Sequence, residues 1–510
     1  MKGSGPFGRG GFGCIFKPAL RCKNNNKRTD GVSKLLETKY AEIEYNHVHK
    51  IKEQLKHLKM LGKYFLLNDV TICDPAPLTP EDLNGFHDYC YRLFEDDPEA
   101  KENIKNYDIN KNLHKYKIIN MPELGMSLND WIKEEKLTPE RLIKLNKYIM
   151  QLIQNAIVPM NNNGVVHNDI KSENILFNKN TPSLIDWGLS YTSTPDNKLP
   201  KEVFEFDVQW QNPFSTYLFT ESLRSNLMEL YKEFLIFNEN NNISFTKENL
   251  RLFAISSFLN YKINKPDQYT FYRNVFLFIY ESKLNYLLKN KEINYIVDTV
   301  DEQYYMYYMV NYIVDILYEF TDKENKKLML KEYFTKVYMY NCDIWGIMSI
   351  YCILIFMPRE SYNVTDKTYI NVINSMFSIF TEYIFINGNE KINISKLLKA
   401  IKNINDTILT TKQINMLNTK KIHIINPISK TIRQQNKSNK NMLSVVKLNS
   451  KSKKHSYLQD IRPIKSINGT ITLRNKKDRY RQNMKNQQIM GNNENIKSIH
   501  NTLDLIKAVV

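Results

Sequence analysis

The fold of this 510-residue chain is decided by residues 165–177, which read Val-Val-His-Asn-Asp-Ile-Lys-Ser-Glu-Asn-Ile-Leu-Phe. Polar side chains follow the pattern H-x-D-x-K-x-x-N between two apolar runs, and we predict that each run is a short strand. A loop of this kind brings a carboxylate, an ammonium and an amide into one small volume. Asp169, Lys171 and Asn174 are therefore the first candidate catalytic residues.

A second acidic turn, Asp-Trp-Gly, begins at Asp186, after another apolar run. Its glycine permits a sharp turn of the backbone. In phosphoryl transfer, a loop carboxylate such as Asp169 would orient or accept the proton of an acceptor hydroxyl, and Lys171 would neutralise charge on the transferred group. Asn174 and Asp186 would be ligands of the Mg²⁺ that bridges the phosphates of a nucleotide.

The N-terminus is glycine-rich and is predicted to form a strand, a tight turn and a returning strand. Gly8, Gly10 and Gly13, followed by Ile15, fit the pattern G-x-G-x-x-G-x-I. Glycines in this pattern let the backbone approach phosphate oxygens closely and present N–H donors to them. An ordinary glycine-rich hairpin turn has the same pattern, so these nucleotide-binding candidates depend on the rest of the chain.

The next candidate is Lys34, at the end of Val-Ser-Lys. A lysine that contacts nucleotide phosphates needs a carboxylate to hold it. The helix predicted over residues 39–61 offers Glu42 and Glu44, and Glu44 is preferred because it shares a helix face with the apolar Val48 and Ile51. A surface lysine and a solvated helix charge are the alternative interpretation.

These motifs resemble those of eukaryotic-type serine/threonine protein kinases. The runs GFGCIFKPALRC (11–22), VSK (32–34) and NPFS (212–215) are similar to those of the kinase-like proteins of nucleocytoplasmic large DNA viruses. The resemblance implies ATP and Mg²⁺ as cofactors and protein substrates phosphorylated on Ser/Thr. It also implies an α+β, two-lobed protein-kinase-like fold, with a small β-rich N-lobe and a large helical C-lobe.

The resemblance implies further site residues and a domain organisation. Met121 and Glu123 would lie in the hinge whose backbone meets adenine, and Asp343 would hydrogen-bond the backbone of the catalytic loop. The N-lobe would span 1–120 and the C-lobe 121–410, with a large helical insertion at about 216–340. Residues 411–510 would form a basic, low-complexity tail that we expect to be disordered.

Several positions depart from the family pattern. Asn168 stands where many kinases have Arg, so we expect no activation through a phosphate pairing with that residue. Trp187 replaces the usual Phe. The sequence Asn-Pro-Phe ending at Phe214 replaces Ala-Pro-Glu, so the usual Glu–Arg ion pair of the large lobe is missing. The long interval before Asp343 is the predicted insertion.

Two other functions remain open at this stage. A small-molecule kinase of the choline or aminoglycoside type shares the ancestral fold. The placement of Lys171 after Asp169, and the glycine that ends the Asp186 turn, argue against it. A catalytically weak pseudokinase scaffold is the second alternative. The presence of every candidate catalytic residue argues against that.

The positive charge is concentrated at one end of the chain. The net charge is +17, yet residues 420–510 alone hold 20 of the 71 Lys and Arg against four of the 54 acids. A protein that is basic throughout is thereby excluded. This tail is a candidate for polyanion or nucleic-acid contact through counterion release, and a merely solvated tail is the alternative.

Cysteine content and hydropathy bear on the compartment. Six Cys in 510 residues are too few for a disulfide scaffold, so we expect reduced thiols and an intracellular protein, in host cytoplasm or a virion. The first residues contain no apolar signal-peptide segment. The most apolar run, 344–357, falls short of the ~20 residues that span a bilayer, so we predict a buried helix and no transmembrane segment.

Overall fold

The computed structural model describes residues 5–9, 13–24, 31–94, 107–178, 180–193, 199–204, 208–264, 271–272, 274–275, 297–386 and 388–409. They form a mixed α+β structure with a β-sheet N-terminal region and a helical C-terminal region, so the predicted two-lobed protein-kinase-like fold is confirmed. The predicted tail and Gly10 lie outside the described residues.

The N-terminal region is built on a five-stranded sheet in the order β1-β2-β3-β5-β4, with antiparallel neighbours throughout. Successive side chains of a strand point to opposite faces. Leu35 accordingly packs with Phe16 on one face, whereas Leu36 packs with Ala41 and Ile119 on the other. The strands are β1 (Gly5–Arg9), β2 (Gly13–Lys17), β3 (Gly31–Glu37), β4 (Thr71–Cys73) and β5 (Tyr116–Pro122).

Helix α1 (Thr38–Leu55) covers one face of this sheet. Its buried residues recur at helical spacing, as the sequence predicts, and include Val48 and Ile51. The helix ends earlier than predicted, and the short helix Leu61–Tyr64 follows. The described part of the connector before β5 contains the short helical elements Phe86–Cys90, Tyr91–Phe94 and Ile109–Lys115.

The C-terminal region consists mainly of helices, including those in the described part of 216–340. Its small two-stranded sheets pair β6 (Val165–Val166) with β9 (Tyr191–Thr192), β7 (Ile175–Asn178) with β8 (Thr181–Leu184), and β10 (Thr321–Asp322) with β11 (Lys327–Leu328). Among the described residues, the helices of this region are Leu128–Glu134, Pro139–Leu152, Ile153–Ile157, Val158–Asn162, Ser172–Asn174, Lys201–Phe204, Phe214–Leu218, Glu221–Asn240, Lys247–Asn264, Val297–Glu319, Leu330–Tyr333, Phe334–Tyr338, Met339–Phe356, Arg359–Ser361, Asp366–Ile379, Phe380–Ile384 and a helix over 394–409.

The helix Met339–Phe356 runs through the core of the C-terminal region, as its composition predicts. Most of its residues are buried. Within the described residues, the stretch Leu330–Phe356 is long and apolar enough to cross a membrane, yet 83% of its most apolar window is buried inside the protein. This burial fits a core helix and gives no clear transmembrane span.

Phe214, which stands where the resemblance leads us to expect the Glu of an ion pair, packs against aromatic side chains instead. Phe214 is fully buried, with its ring centroid 4.8 Å from that of Trp345 and 4.9 Å from that of Phe385. Aromatic contacts of this kind contribute about 0.5–1.5 kcal/mol each beyond the buried area. Phe214 is therefore attached to the core by aromatic contacts.

The cysteine prediction is wrong for the N-terminal region. Disulfides join Cys14 to Cys90 and Cys22 to Cys73. Composition alone did not reveal them, because sheet pairing and the folded connector bring together residues that are 76 and 51 positions apart. The two free cysteines, Cys342 and Cys352, are buried in the C-terminal region.

Candidate active site

The loop between β6 and β7 gathers its three polar candidates around one carboxylate. Lys171 Nζ donates to both oxygens of Asp169, at 2.9 Å to Oδ1 and 2.7 Å to Oδ2. Asn174 Nδ2 donates to Asp169 Oδ2 and to the Asp169 backbone carbonyl, each at 2.9 Å. Burial raises the pKa of Asp169, although the nearby ammonium of Lys171 opposes the shift.

A buried carboxylate of the central helix fixes the backbone of this loop. Asp343 Oδ2 accepts from the backbone N–H of His167 and Oδ1 accepts from that of Asn168, both at 2.9 Å. Asn161 Nδ2 donates to the same Oδ2 at 2.7 Å. A Cβ on Gly346 would lie 2.7 Å from the carbonyl oxygen of Ile170, so only glycine allows the helix to approach so closely.

Asn168 takes part in this anchoring through an unusual backbone conformation. Its φ is 62°, a left-handed value that Asn tolerates better than most residues. Its side chain donates to the Leu189 carbonyl at 3.3 Å and accepts from the Cys342 thiol at 3.3 Å. The amide that replaces the usual Arg is thus used for neutral contacts within the fold.

The part of the candidate site formed by the N-terminal region is organised around Lys34 on β3. Its Nζ lies 2.7 Å from both carboxylate oxygens of Glu44 on α1 and 3.7 Å from Asp186 Oδ1. Glu44, rather than Glu42, is therefore the partner of this lysine. The Lys34 side chain is only 9% exposed, whereas the Asp186 side chain is 42% exposed, so the carboxylate of Asp186 remains accessible.

These charges shift one another's titration. Burial would lower the pKa of Lys34, but attraction to Glu44 and Asp186 outweighs burial and the pKa is raised. Burial raises the pKa of Glu44 against the opposing attraction of Lys34. Lys34 lowers the pKa of Asp186, and a backbone hydrogen bond from Gly188 assists. The lowered pKa of Asp186 favours its ionised form.

The hairpin β7–β8 brings the two candidate metal ligands together. Asn174 immediately precedes β7, and the Ile185 backbone N–H donates to the Asn174 carbonyl at 3.0 Å. An ionised carboxylate and an amide oxygen are hard donors that suit Mg²⁺. The described residues contain no group of three or more His, Cys, Asp and Glu side chains that resembles a protein-only metal cage.

The glycine-rich hairpin is present, with two of its three glycines described. Gly8 lies opposite Ile15 across β1 and β2, and Ile15 lies opposite Lys34 on β3. A Cβ on Gly13 would lie 2.1 Å from the Leu35 carbonyl oxygen. The close approach of β2 to β3 therefore requires the third glycine, whatever its role toward a nucleotide.

The candidate hinge residues lie at the end of β5. Met121 pairs with Val32 in the sheet, and the strand ends at Pro122. Glu123 follows, and its exposed carboxylate forms an ion pair with Lys17 on β2. This pair joins the hinge segment to the glycine-rich hairpin at the protein surface.

One polar residue at the site was missed by sequence analysis. Gln211 is 1% exposed, and its Nε2 donates to Asp169 Oδ1 at 2.5 Å. It immediately precedes the Asn-Pro-Phe segment that sequence analysis singled out. No spacing rule connects it to Asp169, because the two residues are 42 positions apart and meet only in the folded chain.

The chain is similar in part to known protein kinases. A family model described as "Protein kinase domain" matches residues 100–214, which include the loop, the Asp186 turn and Gln211. The chain is 26% identical over 133 residues to "EKC/KEOPS complex subunit BUD32" of Enterocytozoon bieneusi, covering 23% of this chain and 65% of that protein. It is 35% identical over 75 residues to "Probable serine/threonine-protein kinase fnkB" of Dictyostelium discoideum, covering 14% of each protein.

The matches span less than two thirds of either relative, and they are confined to part of this chain. The family model covers the loop whose polar network is centred on Asp169 and whose backbone is held by Asp343. Together with the two-region α+β architecture, these matches show that the chain contains a protein kinase-like domain.

Proposed function

We propose that this protein is an ATP- and Mg²⁺-dependent protein kinase that phosphorylates Ser/Thr hydroxyls of proteins. The observation that carries the proposal is the network of Lys34, Glu44 and Asp186, which joins β3, α1 and the Asp-Trp-Gly turn. A lysine held by a helix carboxylate beside an accessible, ionised Asp is the arrangement that kinase phosphoryl transfer requires.

In this proposal, the candidate catalytic residues divide the work of transfer. The Asp169 carboxylate accepts a hydrogen bond from the acceptor hydroxyl and takes its proton as the reaction proceeds. A bond forms between the oxygen of the acceptor hydroxyl and the γ-phosphorus of ATP, while the bond from that phosphorus to the departing ADP oxygen breaks. Lys171 leaves Asp169 and balances the negative charge on the transferred group.

The remaining candidates would bind ATP and the metal. Lys34 would contact the α- and β-phosphates, and the backbone of the hairpin bearing Gly8, Gly10 and Gly13 would lie over the phosphates. Ile15 and the hinge residues Met121 and Glu123 would hold the adenine. Asn174 and Asp186 would bind Mg²⁺, which neutralises phosphate charge when bound.

The test is transfer of label from γ-labelled ATP in the presence of Mg²⁺ to a generic basic and a generic acidic protein. Asp169→Asn and Asp186→Asn should each lose activity by roughly 10²–10⁴-fold. Glu134→Gln, an exposed change at the end of the helix Leu128–Glu134, is the matched control and should keep full activity. Equal transfer by wild type and both site variants would overturn the proposal.

The same assay separates the two alternatives. Transfer to choline or an aminoglycoside, with none to protein, would identify a small-molecule kinase. Absence of transfer together with retained ATP binding would identify a pseudokinase scaffold. The resemblance to viral kinase-like proteins and an intracellular location stay predictions, and the two disulfides call for a compartment or particle that permits thiol oxidation.

We also propose that residues 420–510 contact a polyanion such as nucleic acid, on the basis of their excess of Lys and Arg. Neutralised phosphates would release counterions, so retention on a polyanion matrix should fall steeply with salt. The full chain and a form ending at residue 419 would be compared at low salt. Equal retention of the two forms would contradict this role.

A further inference from the structure

The amide of Gln211 is oriented by two acceptors. Its Nε2 donates to Asp169 Oδ1 at 2.5 Å and to Gln209 Oε1 at 2.7 Å. The two acceptors require the nitrogen in this position, because a carbonyl oxygen there would face two other oxygens. The Oε1 of Gln211 must therefore point elsewhere.

That Oε1 is a buried acceptor without a hydrogen-bond partner among the described residues. Buried polar atoms are paired in the great majority of cases, and an unpaired one is destabilising. An unpaired carbonyl oxygen one amide group away from the candidate base suggests that its partner arrives with the substrate.

The Asp169 carboxylate is fully occupied in this structure. Its Oδ1 accepts from Lys171 and Gln211, and its Oδ2 accepts from Lys171 and Asn174. A carboxylate offers about four acceptor positions, so an incoming hydroxyl must displace a donor. Under the proposed function Lys171 moves to the transferred phosphoryl group. Gln211 and Asn174 would then keep the carboxylate oriented while the hydroxyl takes a released position.

The acceptor hydroxyl has one proton, and Asp169 receives it. On a Ser or Thr residue within a protein, the remaining donor close to that hydroxyl is the backbone N–H. A small alcohol such as choline carries no such group. The unpaired oxygen thus favours a polypeptide acceptor over choline, and it does not discriminate against an aminoglycoside, whose amines and hydroxyls are also donors.

We propose that Gln211 is a positioning and specificity residue: its Nε2 orients Asp169, and its Oε1 accepts a hydrogen bond from the backbone N–H of the residue to be phosphorylated. This inference rests on the proposed function, because it requires transfer to a protein hydroxyl. It adds that the site recognises the peptide backbone at the acceptor residue.

The experiment combines a protein change with a substrate change. Full-length wild type, Gln211→Met and Gln211→Glu are assayed with a serine peptide that the wild type phosphorylates and with the same peptide N-methylated at the acceptor serine. Gln211→Met removes both the donor and the acceptor, whereas Gln211→Glu keeps an acceptor at nearly the same position. Gln154→Met, at an exposed helix position, is the matched control.

N-methylation should lower kcat/KM by roughly 10-fold for wild type and for Gln154→Met, which is the effect of one lost buried hydrogen bond. The same N-methylation should have little effect on Gln211→Met, because the acceptor atom is gone. Gln211→Glu should lose kcat but still discriminate against the N-methylated peptide. The KM for ATP should be unchanged in every variant, which separates positioning from general damage to the fold.

The outcomes distinguish the two proposals. Wild type that transfers no phosphoryl group to any peptide sinks the proposed function itself. Active wild type whose N-methyl penalty persists undiminished in Gln211→Met sinks only the role of the Oε1 atom. Unchanged kcat in both Gln211 variants sinks the positioning of Asp169. If Gln211→Met fails to fold, Gln211→Leu, which also removes both the donor and the acceptor, is assayed in its place, and an N-methyl penalty that persists undiminished again sinks the role of the Oε1 atom.

Discussion

The two lysines of the candidate site differ in how they are held, although both contact two oxygens of one carboxylate. Lys34 joins separate elements, since its partner Glu44 lies on α1 and its neighbour Asp186 lies in the C-terminal region. Lys171 instead pairs with Asp169, two residues away in the same loop. The Lys34 side chain is 9% exposed and that of Lys171 is 22% exposed.

This difference indicates which lysine stabilises the fold and which is free to take part in the reaction. A buried pair between distant elements joins the β-sheet region to the helices. Removal of one partner should therefore lower the free energy of unfolding strongly, because the other charge is left buried and unpaired. A local pair at a partly open loop is free to exchange partners when a phosphate arrives. We infer that Lys34 combines a structural and a catalytic role, whereas Lys171 serves mainly the reaction.

The largest expected effects come from replacing each lysine with methionine. Both variants should lose activity by roughly 10²–10³-fold. Lys34→Met should also lower the free energy of unfolding by about 3–5 kcal/mol, because Glu44 is left buried and uncompensated. Lys171→Met should lower it by only about 1–2 kcal/mol, because Gln211 and Asn174 still donate to Asp169.

Urea unfolding of the two variants beside wild type measures this contrast, and the label-transfer assay measures activity. Lys144→Met, a change on the helix Pro139–Leu152 away from the loop, serves as the control. An equal fall in the free energy of unfolding for the Lys34 and Lys171 substitutions would contradict this prediction. It would mean that the buried pair stabilises the fold no more than the pair within the loop.

The second prediction concerns the support beneath the loop. Asp343→Ala removes the acceptor of three donors, which are the buried N–H of His167, the part-buried N–H of Asn168 and the buried amide of Asn161. Each unsatisfied donor costs about 1–3 kcal/mol, so the free energy of unfolding should fall by about 3 kcal/mol or more. Hydrogen exchange at the two backbone amides should accelerate along with it. Exchange that stays as slow as in wild type would show that the loop does not depend on this carboxylate.

The loop, the acidic turn and the α+β class could be predicted from sequence because their chemistry is local. Asp169, Lys171 and Asn174 lie in one short loop, and helical spacing predicts which face of α1 carries Glu44. Gln211 could not be predicted, because its contact with Asp169 depends on how the segment before Phe214 folds back.

The disulfides escaped prediction for a related reason. Their cysteines are brought together by the order of strands in the sheet and by a connector without a strong sequence signal. Cysteine count is informative for small secreted scaffolds, where disulfides replace a core. In a chain with a large apolar core, a low count leaves the oxidation state open.

The third prediction concerns the two disulfides, which lie in the N-terminal region that also holds Lys34. Alkylation of the unfolded, unreduced chain should label Cys342 and Cys352 only, because the other four cysteines are bonded. Reduction should lower the free energy of unfolding of the N-terminal region by about 2–4 kcal/mol per bond, since each bond closes a long loop. Labelling of all six thiols without reductant would show that the sheet holds its register without them.

The smallest expected effect is a pH dependence of stability, and it arises where α1 contacts the segment that follows Asp186. His47 on α1 contacts Ser190 Oγ through Nε2 at 2.9 Å, just beyond the Asp186 turn. Burial lowers the pKa of His47, against a smaller opposing influence of Glu202, and Lys50 and Lys201 add to the lowering. Burial likewise lowers the pKa of His167.

A histidine whose pKa is lower in the folded state than its ordinary value of about 6.5 binds fewer protons when folded than when unfolded, just below that pH. Stability therefore rises with pH in this window and is lost as the pH falls below about 6.5, by at most about 1.4 kcal/mol per histidine per pH unit. His47→Gln keeps a donor toward Ser190 and should flatten the slope between pH 7.5 and 5.5 measured by urea unfolding. Gln154→Met, an exposed change that removes no titratable group, is the control and should leave the slope unchanged. A slope as steep in His47→Gln as in wild type would assign the dependence to His167, and so to the catalytic loop rather than to α1.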